Sequence, residues 1–130
     1  MRKLFVMTAL MLAVSAPVMA KNYIVKMISD ADNTRYYFEP AALTIKAGDT
    51  VKWVNAQEDF HNAAATSIPK GAEFFEGPML EEKGQSWSYK FTKSGTYEYE
   101  CQPHAMLGMV GMIVVDYTSA PEDIETKAEE

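Results

Sequence analysis

The sequence predicts an all-β domain, a sandwich or a barrel, and two observations carry that expectation. Gly and Pro recur at intervals of about ten residues after residue 20, and the segments between them are short and rich in Val, Ile, Thr, Tyr, Phe and Trp, side chains that suit a pleated, half-buried surface. Two of the segments also alternate with period two, which assigns successive side chains to opposite faces.

In chain order, strands are expected at 23–28, 43–46, 50–54, 86–91, 96–101 and 110–115. Within 86–91, Trp87, Tyr89 and Phe91 share one face and Ser86, Ser88 and Lys90 the other; within 96–101, Tyr97, Tyr99 and Cys101 alternate with Glu98 and Glu100. Lys93-Ser94-Gly95 reads as a hairpin turn, so these two strands are expected as antiparallel neighbours, with Cys101 ending the second and its sulfur pointing inward. Residues 62–85 alternate poorly and carry Pro69, Gly71, Gly77, Pro78 and Gly84, which reads as a long connection with room for a helical turn.

Residues 1–20, MRKLFVMTALMLAVSAPVMA, have the layout of a secretory signal peptide: Arg2 and Lys3, an apolar run from Leu4 to Val14, and the small Ala20 at the expected cleavage position. The run is shorter than the about 20 apolar residues that span a bilayer, so no membrane span is expected. Residues 21–118 then form one domain, and 119–130 an acidic tail that frays or starts a short helix at Pro121. Without residues 1–20 the chain has 10 basic against 18 acidic residues, a formal charge of -8. That charge repels nucleic-acid phosphates and favours docking to a basic partner.

Exported chains meet an oxidising compartment, and Cys101 is the sole cysteine. Such a thiol is buried as a small hydrophobe, paired with another chain, or held by a metal. It opens Cys101-Gln102-Pro103-His104-Ala105-Met106-Leu107-Gly108-Met109, a C-x2-H-x4-M pattern that arises about once in a thousand times per Cys at the chain's own His and Met frequencies. The other histidine, His61, begins the long connection, from which a sandwich can bring it beside the Cys101 loop. Two imidazoles and a thiolate then form a trigonal set with Met109 along the axis, although Met106 offers a competing sulfur. His2Cys with a long axial Met is the arrangement of blue copper sites. Structural zinc takes four strong ligands and seldom a thioether. A Cys–His nucleophile needs an acid or amide to orient the imidazole, and no Asn or Asp is obviously placed to do so.

With these residues in view, the chain resembles the cupredoxins, most closely the pseudoazurins, with plastocyanins as near relatives. The resemblance runs through Phe38-Glu39-Pro40, Gly48-Asp49-Thr50-Val51, His61-Asn62, Ile68-Pro69-Lys70-Gly71-Ala72-Glu73, Gly95-Thr96-Tyr97 and Cys101-Gln102-Pro103-His104. The ligand loop has the length of that branch, whereas amicyanins place the axial Met two residues closer, where this chain has Leu107. The resemblance implies a Greek-key β-sandwich of about eight strands binding one type 1 copper ion through His61, Cys101, His104 and Met109. It also implies that Asn62 ties the two ligand loops together and donates to the thiolate, and that Pro103 removes one N–H near the sulfur and so tunes the potential. Pseudoazurins end in two helices packed on the sandwich, whereas fourteen residues follow Asp116 here.

The function expected is that of a soluble electron carrier, not an enzyme, cycling between Cu(I) and Cu(II). Its partners would be transient redox proteins, such as a c-type cytochrome or a copper or haem enzyme. A monomer in the bacterial periplasm is expected, with Ala105, Met106 and Leu107 forming an apolar patch around the His104 edge. Copper storage or delivery on the same fold is the alternative, and a metal-free interaction module a third.

Overall fold

The computed structural model describes residues 19–32 and 34–117. Most of the expected signal peptide, and the expected tail at 119–130, therefore lie outside the described residues. No helix among the described residues is long and apolar enough to cross a membrane.

Among the described residues, eight strands form two four-stranded sheets. The first sheet contains β1 (Asn22–Asp30), β2 (Arg35–Glu39), β4 (Thr50–Asn55) and β6 (Ser86–Lys90), in the order β2-β1-β4-β6. The second contains β3 (Ala42–Lys46), β5 (Ala64–Ser67), β7 (Gly95–Glu100) and β8 (Val110–Asp116), in the order β3-β8-β7-β5. Parallel pairs sit within both sheets, β1 beside β4 and β3 beside β8, and the remaining pairs are antiparallel. The expected all-β sandwich is therefore the architecture observed, and all six expected strands are present within two residues of their expected ends.

Two strands escaped the sequence reading. In β2 the run Tyr36-Tyr37-Phe38 has no polar residue between its aromatics, yet Phe38 turns into the core while Tyr36 and Tyr37 remain half-buried. The connection 62–85 contains β5 and no helix. Ala favours helix by propensity, but the segment Ala64–Ser67 lies along the open edge of β7, where ladder hydrogen bonds outweigh a preference of less than about 1 kcal/mol per residue.

The expected hairpin between β6 and β7 is also wrong. β6 pairs with β4 in the first sheet, whereas β7 pairs with β5 and β8 in the second. Both strands carry aromatics on one face, and the chain buries both faces by crossing between sheets, so that the two sets meet through the core instead of lying side by side. Phe91 and Tyr97 meet edge to face at 5.0 Å across that crossing.

The core is built on aromatic side chains. Trp53 is fully buried and stacks on Trp87 at 5.6 Å, with the Tyr99 ring against it edge-on at 5.4 Å. Contacts of this kind add roughly 0.5–1.5 kcal/mol each beyond the area they bury. Val25, Met27, Ile45, Val51 and Ile113, at 1% exposure or less, fill the space between the sheets. This wall reaches the Cys101 end of the sandwich through Tyr99, two residues before Cys101.

The hydroxyl end of Tyr99 sits against Gly111 of β8, where an added Cβ would overlap it. The ring is buried among Phe38, Trp53 and Phe75 and has nowhere to retreat. Gly111→Ala is therefore expected to destabilise the fold by about 1–3 kcal/mol, the cost of overpacking a filled core. Urea unfolding of the two proteins measures this; an unchanged midpoint would show that β8 shifts freely.

Candidate metal centre

Cys101 immediately follows β7 and is fully buried. A short 3-10 turn over Gln102–Leu107 comes next, with Pro103 in its opening positions, where the missing N–H sacrifices no turn hydrogen bond. The His104 N–H donates to the Cys101 carbonyl at 3.1 Å, which curls His104 back toward the sulfur. Gly108 ends the turn at φ 86°, a left-handed conformation that glycine adopts at little cost, and so directs the chain into β8. Met109 then donates to the His104 carbonyl at 3.2 Å and accepts from Cys101 N–H at 3.0 Å. One hairpin mouth thus holds a thiol, an imidazole and a thioether.

His61 arrives from the other side, between β4 and β5. Its backbone pairs with Leu80 in both directions, at 2.9 and 2.8 Å, and its side chain is fully buried. Asn62 fastens this loop to the other. Its Oδ1 accepts from Gln102 N–H at 2.8 Å, and its Nδ2 donates to Gln102 Oε1 at 2.7 Å.

The three strong donors converge as expected. His61 Nδ1 and His104 Nδ1 each lie 3.5 Å from Cys101 Sγ, and all three donor atoms fall within 4.8 Å of one another. Bond lengths of about 2.0 Å to nitrogen and 2.3 Å to thiolate, at near-tetrahedral angles, put a nitrogen and a sulfur about 3.5 Å apart, so the spacing fits a shared ion. Met109 is fully buried beside them, whereas Met106 is 100% exposed, which removes the competing sulfur. The donor set is therefore two imidazoles, one thiolate and one thioether, the chemistry that suits copper.

Electrostatics in the metal-free protein agree. Burial pushes the Cys101 thiol up, against the backbone amides of Asn62 and His104, which donate to the sulfur and pull it down. Burial, reinforced by the charge on His104 and partly opposed by Asp59, lowers His61 to about 4, so its imidazole is neutral and free to ligate at neutral pH. Burial also raises the Asp59 carboxyl, but hydrogen bonds from Ser29 and Phe60 and the nearby His104 and His61 outweigh it, leaving the group below its usual range.

Three neighbours of the ligands were not found from sequence. Tyr36 of β2 stacks on His104, with ring centroids 4.3 Å apart and planes 11° from parallel. Asp59 places a carboxylate 3.7 Å from His104 Nε2, and Ser29 Oγ lies 2.7 Å from His61 Nε2. The expectation that no acid is placed to orient an imidazole is thus corrected. Asp59 lies two residues before His61, a spacing that offered a signal; Ser29 and Tyr36 come from distant strands and offered none.

Residues 25–116 match the family described as copper binding proteins, plastocyanin/azurin family. The chain belongs to that family. A plastocyanin from Scenedesmus fuscus is 42% identical over 90 residues, 65% of this chain and 92% of that protein. An amicyanin from Paracoccus denitrificans is 38% identical over 85 residues, 65% of this chain and 63% of that protein. Among solved structures, a pseudoazurin from Sinorhizobium meliloti superposes with a TM-score of 0.63 at 37% identity, covering 76% of both chains. The resemblance read from the sequence is therefore to the right family.

Two outcomes follow from this geometry. Asn62→Ala leaves Gln102 N–H without its partner and is expected to cost about 1–3 kcal/mol of stability, measured by chemical denaturation of the metal-free protein. In that metal-free form, the unfolded chain binds a proton at residue 61 between its ordinary value of 6.5 and about 4, and the folded chain does not. Stability therefore rises with pH through that window and is lost as pH falls through it. Urea midpoints measured across the window should show this slope, and His61→Gln should reduce it.

Proposed function

We propose that this protein is a one-electron carrier that holds a single type 1 copper ion and passes charge between redox partner proteins. The observation that carries this reading is the approach of both Nδ1 atoms to 3.5 Å from the buried Cys101 sulfur. When bound, the ion supplies a Cu(I)/Cu(II) couple. The chain supplies a rigid set of donors: Cys101 and His104 on a turn closed by Gly108, Met109 at the start of β8, and His61 held to Leu80. Such a set favours neither oxidation state's preferred geometry outright, so little rearrangement accompanies a change of charge.

Asn62 and Pro103 act behind the ligands in this reading. Asn62 keeps the two loops in register and directs its backbone amide at the sulfur. Pro103 withholds a further donor. Together they set how strongly the thiolate's charge is compensated, and so the potential.

The route outward lies at His104. His61, Cys101 and Met109 are fully buried, whereas the His104 side chain is 13% exposed. Met106, at 100% exposure, and Leu107, at 60%, stand beside it in the same turn and form an apolar patch for brief encounters. A basic partner suits the acidic chain, such as a c-type cytochrome or a copper or haem enzyme. The pattern of residues 1–20 supports export, with action as a monomer in the bacterial periplasm.

The test is to add Cu(II) to the purified protein and record visible and EPR spectra. An intense blue colour is expected, bleached by a mild reductant and restored by an oxidant, and absent in Cys101→Ser. Copper binding without reversible bleaching would point to storage or delivery instead, and failure to bind copper would leave only the β scaffold.

A further inference from the structure

The edges of the two imidazoles that face away from Cys101 converge on one carboxylate. Ser29 Oγ lies 2.7 Å from His61 Nε2 and 2.6 Å from Asp59 Oδ2. The same Oδ2 stands 3.7 Å from His104 Nε2, an electrostatic contact longer than a hydrogen bond.

Proton bookkeeping then decides the arrangement. A serine hydroxyl has one proton and an ionised carboxylate has none, so the Ser29 proton lies toward Asp59. The Ser29 lone pair consequently faces His61 Nε2, which must be the protonated nitrogen. His61 Nδ1 is left as a bare lone pair on the side of the sulfur, the form in which an imidazole ligates. The negative charge beside His104 Nε2 favours the proton there as well, which frees its Nδ1 in turn.

The carboxylate is itself held in place. Asp59 Oδ1 accepts from Phe60 N–H at 2.7 Å, and Asn55 Nδ2 donates to the Asp59 carbonyl at 2.8 Å. Ser29 N–H donates to Gln57 Oε1 at 2.8 Å, which binds this loop to the end of β1. The segment from Asn55 to His61 is thus a small scaffold with a single acid aimed at both ligands.

We propose that Ser29 and Asp59 are positioning residues that hold both histidine ligands in the Nε2–H tautomer with each Nδ1 turned to the metal, and that the Asp59 charge favours the oxidised ion. The role in potential rests on the electron-carrier reading; the tautomer assignment does not. A fixed negative charge near the site stabilises the more positive ion, so removing it raises the midpoint potential. Asp59 is 29% exposed, so solvent screens part of that effect.

The experiment has two arms. In the metal-free protein near pH 8, long-range 1H–15N NMR of the imidazoles should show the Nε2–H tautomer at both His61 and His104. Ser29→Ala should mix the tautomers at His61, and Ser29→Thr, which keeps the hydroxyl, should restore the wild-type pattern. In the copper-loaded protein, Asp59→Asn and Ser29→Ala should keep the blue colour and bind copper roughly 10- to 100-fold more weakly, and Asp59→Asn, which alone removes the charge, should also shift the midpoint potential upward. An Nδ1–H tautomer at His61 in the wild type would overturn the proposal, as would variants matching the wild type in tautomer, affinity and potential. If no variant and no wild-type protein turns blue, the carrier reading fails and the NMR arm still judges the relay.

Discussion

The structure depends on keeping a sulfur that will become an anion away from water. A thiol at full burial resists ionisation, and a thiolate there is tolerable only beside a cation. The two imidazoles that approach Cys101 complete a cage into which such a cation fits. Binding a metal therefore releases the thiol proton, and the cost of desolvation is offset by metal–thiolate attraction in a poorly screened interior. Every nearby device prevents the cage from collapsing or opening: the paired Asn62 and Gln102, the left-handed Gly108, the backbone bonds between Met109, His104 and Cys101, and the Tyr36 ring on His104.

The same arrangement separates two needs that conflict. Ligands must be rigid and dry, yet a partner must come close. The fold resolves this by burying three donors and letting only the rim of the fourth reach the surface, at the turn where Met106 and Leu107 project. The aromatic wall of Trp53, Tyr99 and Phe38 backs the buried side, so the cage rests on closely packed rings of the core.

Much of this was legible beforehand. Short aromatic and β-branched segments with period two placed six strands, because alternation is a local consequence of the pleat. The ligands were legible because their chemistry is scarce: the only cysteine, the two histidines and a methionine at one spacing leave few ways to build a site. β2 was hidden by three successive aromatics, and β5 by two alanines within a poorly alternating stretch. The supposed β6–β7 hairpin failed because a turn and two amphipathic strands look alike whether the strands stay in one sheet or face each other across the core.

Donor chemistry and strand period were thus properties of the chain by itself, since each is written in neighbouring residues. Tertiary structure alone decided the partition into sheets, which sulfur of the loop turns inward, and which polar groups stand behind the imidazoles. Ser29 meets His61 across 32 residues, and Asn62 meets Gln102 across 40. Contacts at that separation arise only when two sheets close on a shared core, and no local pattern records them.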